Sequence, residues 1–141
     1  MIVSTKGRYA LRVMIDLAEH PADGFVPVKD IAQRHNISKE YLNSILKVLV
    51  QNKLLLSLRG KGGGYKLIKA PEEYSVGEIL RYVEGNLAPV PCVLPSETCE
   101  NSDLCPSLPM WRKLDNMINN YLDSVSLASL MEPKKEGETT E

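Results

Sequence analysis

The chain has 141 residues, 43% hydrophobic and 25% charged, a globular composition that excludes collagen-like, disordered and membrane-spanning classes. No apolar run approaches the roughly eighteen residues that cross a bilayer, and the first ten residues lack the apolar core of a secretory signal. The net charge of −1 divides into +7 over residues 1–70 and −8 over residues 71–141, a segregation that points to nucleic acid as the partner of the first half.

Ser4 is placed to cap a first helix running to about His20, with Ala10, Val13, Met14, Leu17 and Ala18 at the spacing of a one-sided stripe. Pro21 and Gly24 break it. A short second helix starts near Pro27, buries Val28, Ile31 and Ala32, and ends around His35 and Asn36. Ser38 caps a third helix whose apolar set is Leu42, Ile45, Leu46 and Leu49. The link from His35 to Ser38 is so short that the two helices form a helix-turn-helix. Leu54 to Arg59 predicts a strand, Gly60 to Gly64 a turn, and Tyr65 to Ala70 the returning strand.

Ser75-Val-Gly-Glu78 has the pattern of a capping box and opens a fourth helix carrying Val76, Ile79, Leu80 and Val83, with Gly85 suited to end it. Residues 86–105 have no period and hold Pro89, Pro91, Pro95 and all three cysteines; a loop this long implies either a site or disorder. After Pro106 a long helix runs to about Asp123, with Trp111, Leu114, Ile118, Tyr121, Leu122 and Val125 along one seam. Leu127 to Met131 add a turn, and residues 132–141 form a polar tail expected to be disordered. The predicted fold class is therefore mainly α with a small β-hairpin wing. It comprises a winged helix-turn-helix over residues 1–85, a cysteine-bearing loop over 86–105, a dimerisation helix over 106–131 and a tail over 132–141. Trp111 and Tyr121 on so late a helix favour pairing with a twofold mate.

Opposite its apolar set, the third helix carries Glu40, Asn43, Ser44 and Lys47, residue types that read base edges in a major groove. Arg59 and Lys61 sit on the glycine-rich turn, where a guanidinium suits a narrow minor groove and an ammonium a phosphate. The same glycines lead into a strand, not a helix, which argues against a nucleotide-binding P-loop. Cys92, Cys99 and Cys105 follow a Cys-x6-Cys-x5-Cys spacing without the close pair of a zinc knuckle. Three soft thiolates on one loop suit an iron–sulfur cluster best, zinc next and a redox disulfide third. Their odd number favours a reducing, cytoplasmic home. His20 and His35 stand at helix ends as structural residues, and no arrangement of catalytic groups is recognisable, so the chain is not expected to be an enzyme.

The strings Ser4-Thr-Lys-Gly-Arg-Tyr-Ala-Leu-Arg12, Asp30-Ile-Ala32, Ile37-Ser-x-x-Tyr41-Leu42 and Arg59-Gly-x-Gly-Gly-Gly-Tyr65 closely resemble the IscR/NsrR-type family of winged-helix transcription regulators, over residues 1–131. The resemblance implies a homodimer on palindromic or pseudo-palindromic promoter DNA; in many members a cluster, [2Fe–2S] or [4Fe–4S], on three loop cysteines tunes affinity, and Cys92, Cys99 and Cys105 occupy those places. It assigns Arg59 to the minor groove and Asn43 and Ser44 to base reading, with Ser38, Lys39, Glu40 and Tyr41 at the start of the same helix. Lys61, Thr5 and Lys6 complete the expected DNA contacts. The iron–sulfur biogenesis branch often carries Glu and Gln at the base-reading pair, so Asn43 and Ser44 imply a different operator.

The fourth ligand departs from the family pattern. The biogenesis branch has a histidine where this chain has Leu108, and the nitric-oxide-sensing branch has a carboxylate where it has Arg8. Glu97, Glu100, Asp103 or Ser107, a solvent or thiol ligand, or no fourth protein ligand are the remaining candidates. The expected function is a cytoplasmic, dimeric regulator that senses redox state, iron–sulfur status or a small reactive molecule. A metal-free thiol switch and a winged-helix protein-interaction module are the alternatives.

Overall fold

Serines set where the helices begin. The computed structural model describes residues 3–20, 24–95 and 104–131. In it Ser4 Oγ accepts from Gly7 N–H at the head of α1 (Thr5–Glu19), and Ser38 Oγ accepts from Tyr41 N–H at the head of α3 (Lys39–Gln51). Between them lies α2 (Val28–His35), closed by Asn36 in the left-handed conformation at φ 52°. Asparagine tolerates that backbone, and here it turns the chain directly into the α3 cap. Ser75 Oγ caps α4 (Val76–Glu84) by accepting from Glu78 N–H, while the Glu78 carboxylate of the predicted capping box reaches Lys69 Nζ at 3.4 Å. Pro21, part of the expected break after α1, lies outside the described residues, as does the 132–141 tail.

Two antiparallel strands, β1 (Leu55–Leu58) and β2 (Gly64–Leu67), form the wing in a register from Leu55↔Leu67 to Leu58↔Gly64. Both are shorter than the 54–59 and 65–70 spans predicted. The cause is Tyr74, a buried residue in the turn before α4. Its hydroxyl donates to Leu54 O at 2.8 Å and accepts from Ile68 N–H and Lys69 N–H at 2.9 and 3.1 Å, taking groups a longer ladder would have used. Val26 joins the other edge of β2 through two hydrogen bonds with Tyr65, at 2.8 and 2.9 Å. Gly64, at φ 149°, permits this approach, since a Cβ there would overlap the Val26 carbonyl.

The main core is built from Met14 of α1, Ile31 of α2, Leu42, Ile45, Leu46 and Leu49 of α3, Ile79 of α4 and Leu127 of the last short helix, all buried. A second cluster of Val76, Leu80 and Leu87 takes Val3 and Leu11 from one side and Ile118, Leu122 and Val125 from the other. These last three belong to α5 (Leu108–Ser124) and the residue after it. The predicted seam of α5 is therefore divided. Ile118, Leu122 and Val125 pack on α4, whereas Leu114 and Tyr121 remain exposed beside Met110 and Met117. α6 (Leu127–Leu130) turns back onto the head of the molecule, held by Val76 N–H to Val125 O and Leu127 N–H to Tyr74 O, each 2.9 Å.

One buried charge ties α1 to α2. Asp16, 3% exposed, accepts two hydrogen bonds of 2.7 Å from the Arg34 guanidinium, with His35 Nε2 at 3.2 Å and His20 Nδ1 at 3.5 Å. Burial alone would raise the Asp16 pKa. The hydrogen bonds and charge of Arg34, joined by the two histidines, outweigh burial and hold the carboxyl below the ordinary aspartate range. A depressed folded-state pKa contributes stability above the unfolded aspartate range, and that stability is lost as pH falls through the folded value. Asp16→Asn is expected to cost about 1–3 kcal/mol near neutrality, less than a fully buried pair would because Arg34 is partly solvated. In denaturant titrations the gap between variant and parent should close as the solution is made acidic. A gap that stays constant with pH would contradict the assignment.

Candidate nucleic-acid interface and cysteine segment

The apolar side of α3 is buried, which leaves Lys39, Glu40, Asn43, Ser44 and Lys47 exposed along its other side. A groove of about 610 Å³ separates this face from the wing, with Lys39, Asn43 and Lys47 on one wall and Ser57, Leu58 and Arg59 on the other. Lys29, Lys39, Lys47 and Arg59 line it and, among the described residues, no carboxylate does, so its field favours a polyanion. Gln51 extends the α3 wall one turn beyond Lys47, the last residue predicted on this face; its i+4 spacing from Lys47 was the available signal.

Not every predicted contact faces outward alike. Tyr41 is half-buried, its ring edge-on to Tyr9 with centroids 5.9 Å apart, and the Arg12 guanidinium lies 4.9 Å from the Tyr9 centroid. This stack fixes α3 against α1. Ser44 Oγ donates to Tyr41 O at 2.6 Å, which leaves its oxygen as an outward acceptor. Ser38 is exposed, with Oγ engaged as the α3 cap. Arg59 and Lys61 are exposed at the wing tip, and Thr5 and Lys6 stand in the first turn of α1, where Arg8 donates to Thr5 Oγ1 at 3.1 Å.

Cys92 is exposed in a single 3-10 turn, Pro91–Val93, that packs against α5. Cys105 lies just ahead of α5 with its Sγ 3.3 Å from Ser107 Oγ. Hydrogen bonds from Ser107, hydroxyl first and backbone N–H second, lower the Cys105 pKa; burial opposes them and Leu108 N–H assists. Cys99 lies outside the described residues, as do Glu97, Glu100 and Asp103. Among the described residues no three His, Cys, Asp or Glu side chains are grouped to hold a metal. Leu108, at the position of the biogenesis-branch histidine, is buried. Among the described residues no helix is long and apolar enough to cross a membrane.

The Rrf2 family model, described as an iron-dependent transcriptional regulator, matches residues 3–133. The chain belongs to the Rrf2 family. The HTH-type transcriptional regulator IscR of Aliivibrio salmonicida is 37% identical over 131 residues, 93% of this chain and 77% of that protein. Among solved structures, CymR, the global cysteine regulator of B. subtilis, is similar at 36% identity and a TM-score of 0.74, covering 93% of this chain and 96% of that one. IscR of T. potens is similar at 35% identity and a TM-score of 0.69, covering 93% and 86%. Rrf2 proteins are transcriptional regulators, so this chain is a DNA-binding regulator and not an enzyme, and its mainly α fold with a hairpin wing is that of these structures.

Proposed function

We propose that this Rrf2 protein is a cytoplasmic homodimer that binds promoter DNA and senses redox state, iron–sulfur status or a small reactive molecule through an iron–sulfur cluster on Cys92, Cys99 and Cys105. The observation that carries this reading is that Cys92 stands in a turn packed against α5 and Cys105 just ahead of the same helix, which also turns an uncovered apolar stripe outward. Their donor chemistry fits a [2Fe–2S] or [4Fe–4S] group, which when bound supplies redox change and exchangeable coordination. Ser107, already beside the Cys105 sulfur, is the nearest described candidate for a fourth ligand. Residues 1–85 read the DNA, 86–105 hold the cluster and 106–131 pair the protomers.

On the duplex, α3 enters the major groove. Asn43 and Ser44 read bases, Ser38, Lys39, Glu40 and Tyr41 set the helix start, and Arg59 enters the minor groove. Lys61, Thr5 and Lys6 meet phosphates. Asn43→Ala is expected to lose about 1–3 kcal/mol on an operator selected from random duplexes and little on mixed sequence, while Arg59→Ala weakens both. Equal losses on both DNAs for Asn43→Ala would remove Asn43 from base reading.

Protein prepared without oxygen should contain iron and acid-labile sulfide and show charge-transfer absorption, and its operator affinity should change when the cluster is removed. Absence of iron and sulfide, with no absorption after reconstitution, overturns the cluster. The lowered Cys105 pKa favours a second reading, a metal-free thiol switch, because thiolate is the oxidisable form. Iron-free protein whose mobility on nonreducing gels changes with oxidant would establish it instead.

A further inference from the structure

Glu84 is the last residue of α4, yet its carboxylate serves the head of α1. Glu84 Oε2 accepts from the backbone N–H and from the hydroxyl of Ser4, each at 2.8 Å. Ser4 Oγ in turn accepts from Gly7 N–H at 3.1 Å. One carboxylate thus fixes the cap that fixes the first turn. That turn has no acidic residue of its own, so Glu84 supplies the negative charge a helix N-terminus favours. The approach is tight: a Cβ at Gly7 would overlap Glu84 Oε2. Beside this contact Val3 packs against the cluster of Val76, Leu80 and Leu87, the last of which follows Gly85 at the entry to the cysteine segment.

We propose that Glu84 is a positioning residue for DNA binding, holding the first turn of α1 where Thr5 and Lys6 meet a phosphate and tying that turn to the end of α4. The inference rests on the proposed contact of Thr5 and Lys6 with the DNA backbone. Gly7 then has a defined purpose. It leaves room for a carboxylate arriving from another helix.

The test is fluorescence-anisotropy titration of the reduced, cofactor-free full chain with a mixed-sequence duplex, which reports backbone contacts without base reading. Glu84→Ala should weaken binding about five- to tenfold, roughly one phosphate contact. Glu84→Gln, which keeps an acceptor for Ser4, should stay within about twofold of the parent. Gly7→Ala should weaken binding as much as Glu84→Ala without lowering the thermal midpoint, since alanine is the better helix former. In a Lys6→Ala background, Glu84→Ala should add less than about twofold, as expected for two groups acting through one contact. Parent-like binding by Glu84→Ala or Gly7→Ala, with Lys6→Ala still impaired, overturns the positioning role and leaves the α1 contact standing. Lys6→Ala binding like the parent overturns the contact and the positioning role together. Losses that multiply in the double variant show a general structural effect, and they overturn the proposal too.

Discussion

Cys92→Ala should give a folded chain with helix content intact but no iron, no sulfide and no visible charge-transfer absorption. Two features set this apart from an ordinary cysteine truncation. The side chain is exposed in a single turn, so removing its sulfur uncovers no core and leaves no cavity. The loop has three cysteines, and among the described residues no other group of three His, Cys, Asp or Glu side chains stands ready to hold the metal instead. Circular dichroism, iron and sulfide assays and the visible spectrum of one anaerobic preparation check all of this together. A variant that unfolds would instead make Cys92 part of a structural zinc site, because in such sites metal binding and folding are one equilibrium.

Met117→Glu should yield monomers and lower operator affinity by a factor of about 10²–10⁴, the range gained when two binding modules are joined. Met110, Leu114, Met117 and Tyr121 recur at i, i+4, i+7 and i+11 on α5 and are 54%, 37%, 59% and 67% exposed. That spacing is the seam of paired helices, and a carboxylate at its centre would face its own copy across a twofold axis in an apolar setting. Because Met117 lies on the uncovered side of α5, the fold of each protomer should survive, with an unchanged thermal midpoint at high dilution. Sedimentation analysis reports the mass, and titration with a selected operator reports the affinity. A variant that remains dimeric would move the protomer contact off this stripe.

Local chemistry was the legible part of the chain. Ser4, Ser38 and Ser75 each cap a helix through a hydrogen bond to an N–H three residues on, an interaction written within one turn of sequence. The hairpin too was legible, because its glycines and alternation are local, although its ends were not. Those ends are set by Tyr74, whose hydroxyl bonds to Leu54, Ile68 and Lys69 and which no turn or strand pattern singles out. Glu84 escaped for the same reason, since its partner Ser4 is 80 residues away. Periodicity marked the apolar arc of α5 correctly, but a period says which residues avoid water and not what covers each of them. So Ile118 and Tyr121, placed on one seam, came to opposite fates. For the candidate site, residue type and position pointed to Lys39, Lys47 and Arg59, which line the groove, while the inward turn of Tyr41 depended on Tyr9 from another helix.

The return of α6 denies this protein a simple modular cut. Leu127 is wholly inaccessible to solvent in the same core as α3, and the strand-like bridge of Ser75 with Ser126 closes the circuit. A fragment ending before α6, made to keep α1 to α5 alone, would open a hole beneath α1 instead of liberating an autonomous unit. Through α6 and the Ser75–Ser126 bridge, the segment that follows α5 is packed into the core that seats α3, so a displacement at the end of α5 has no slack joint in which to dissipate before it reaches α3.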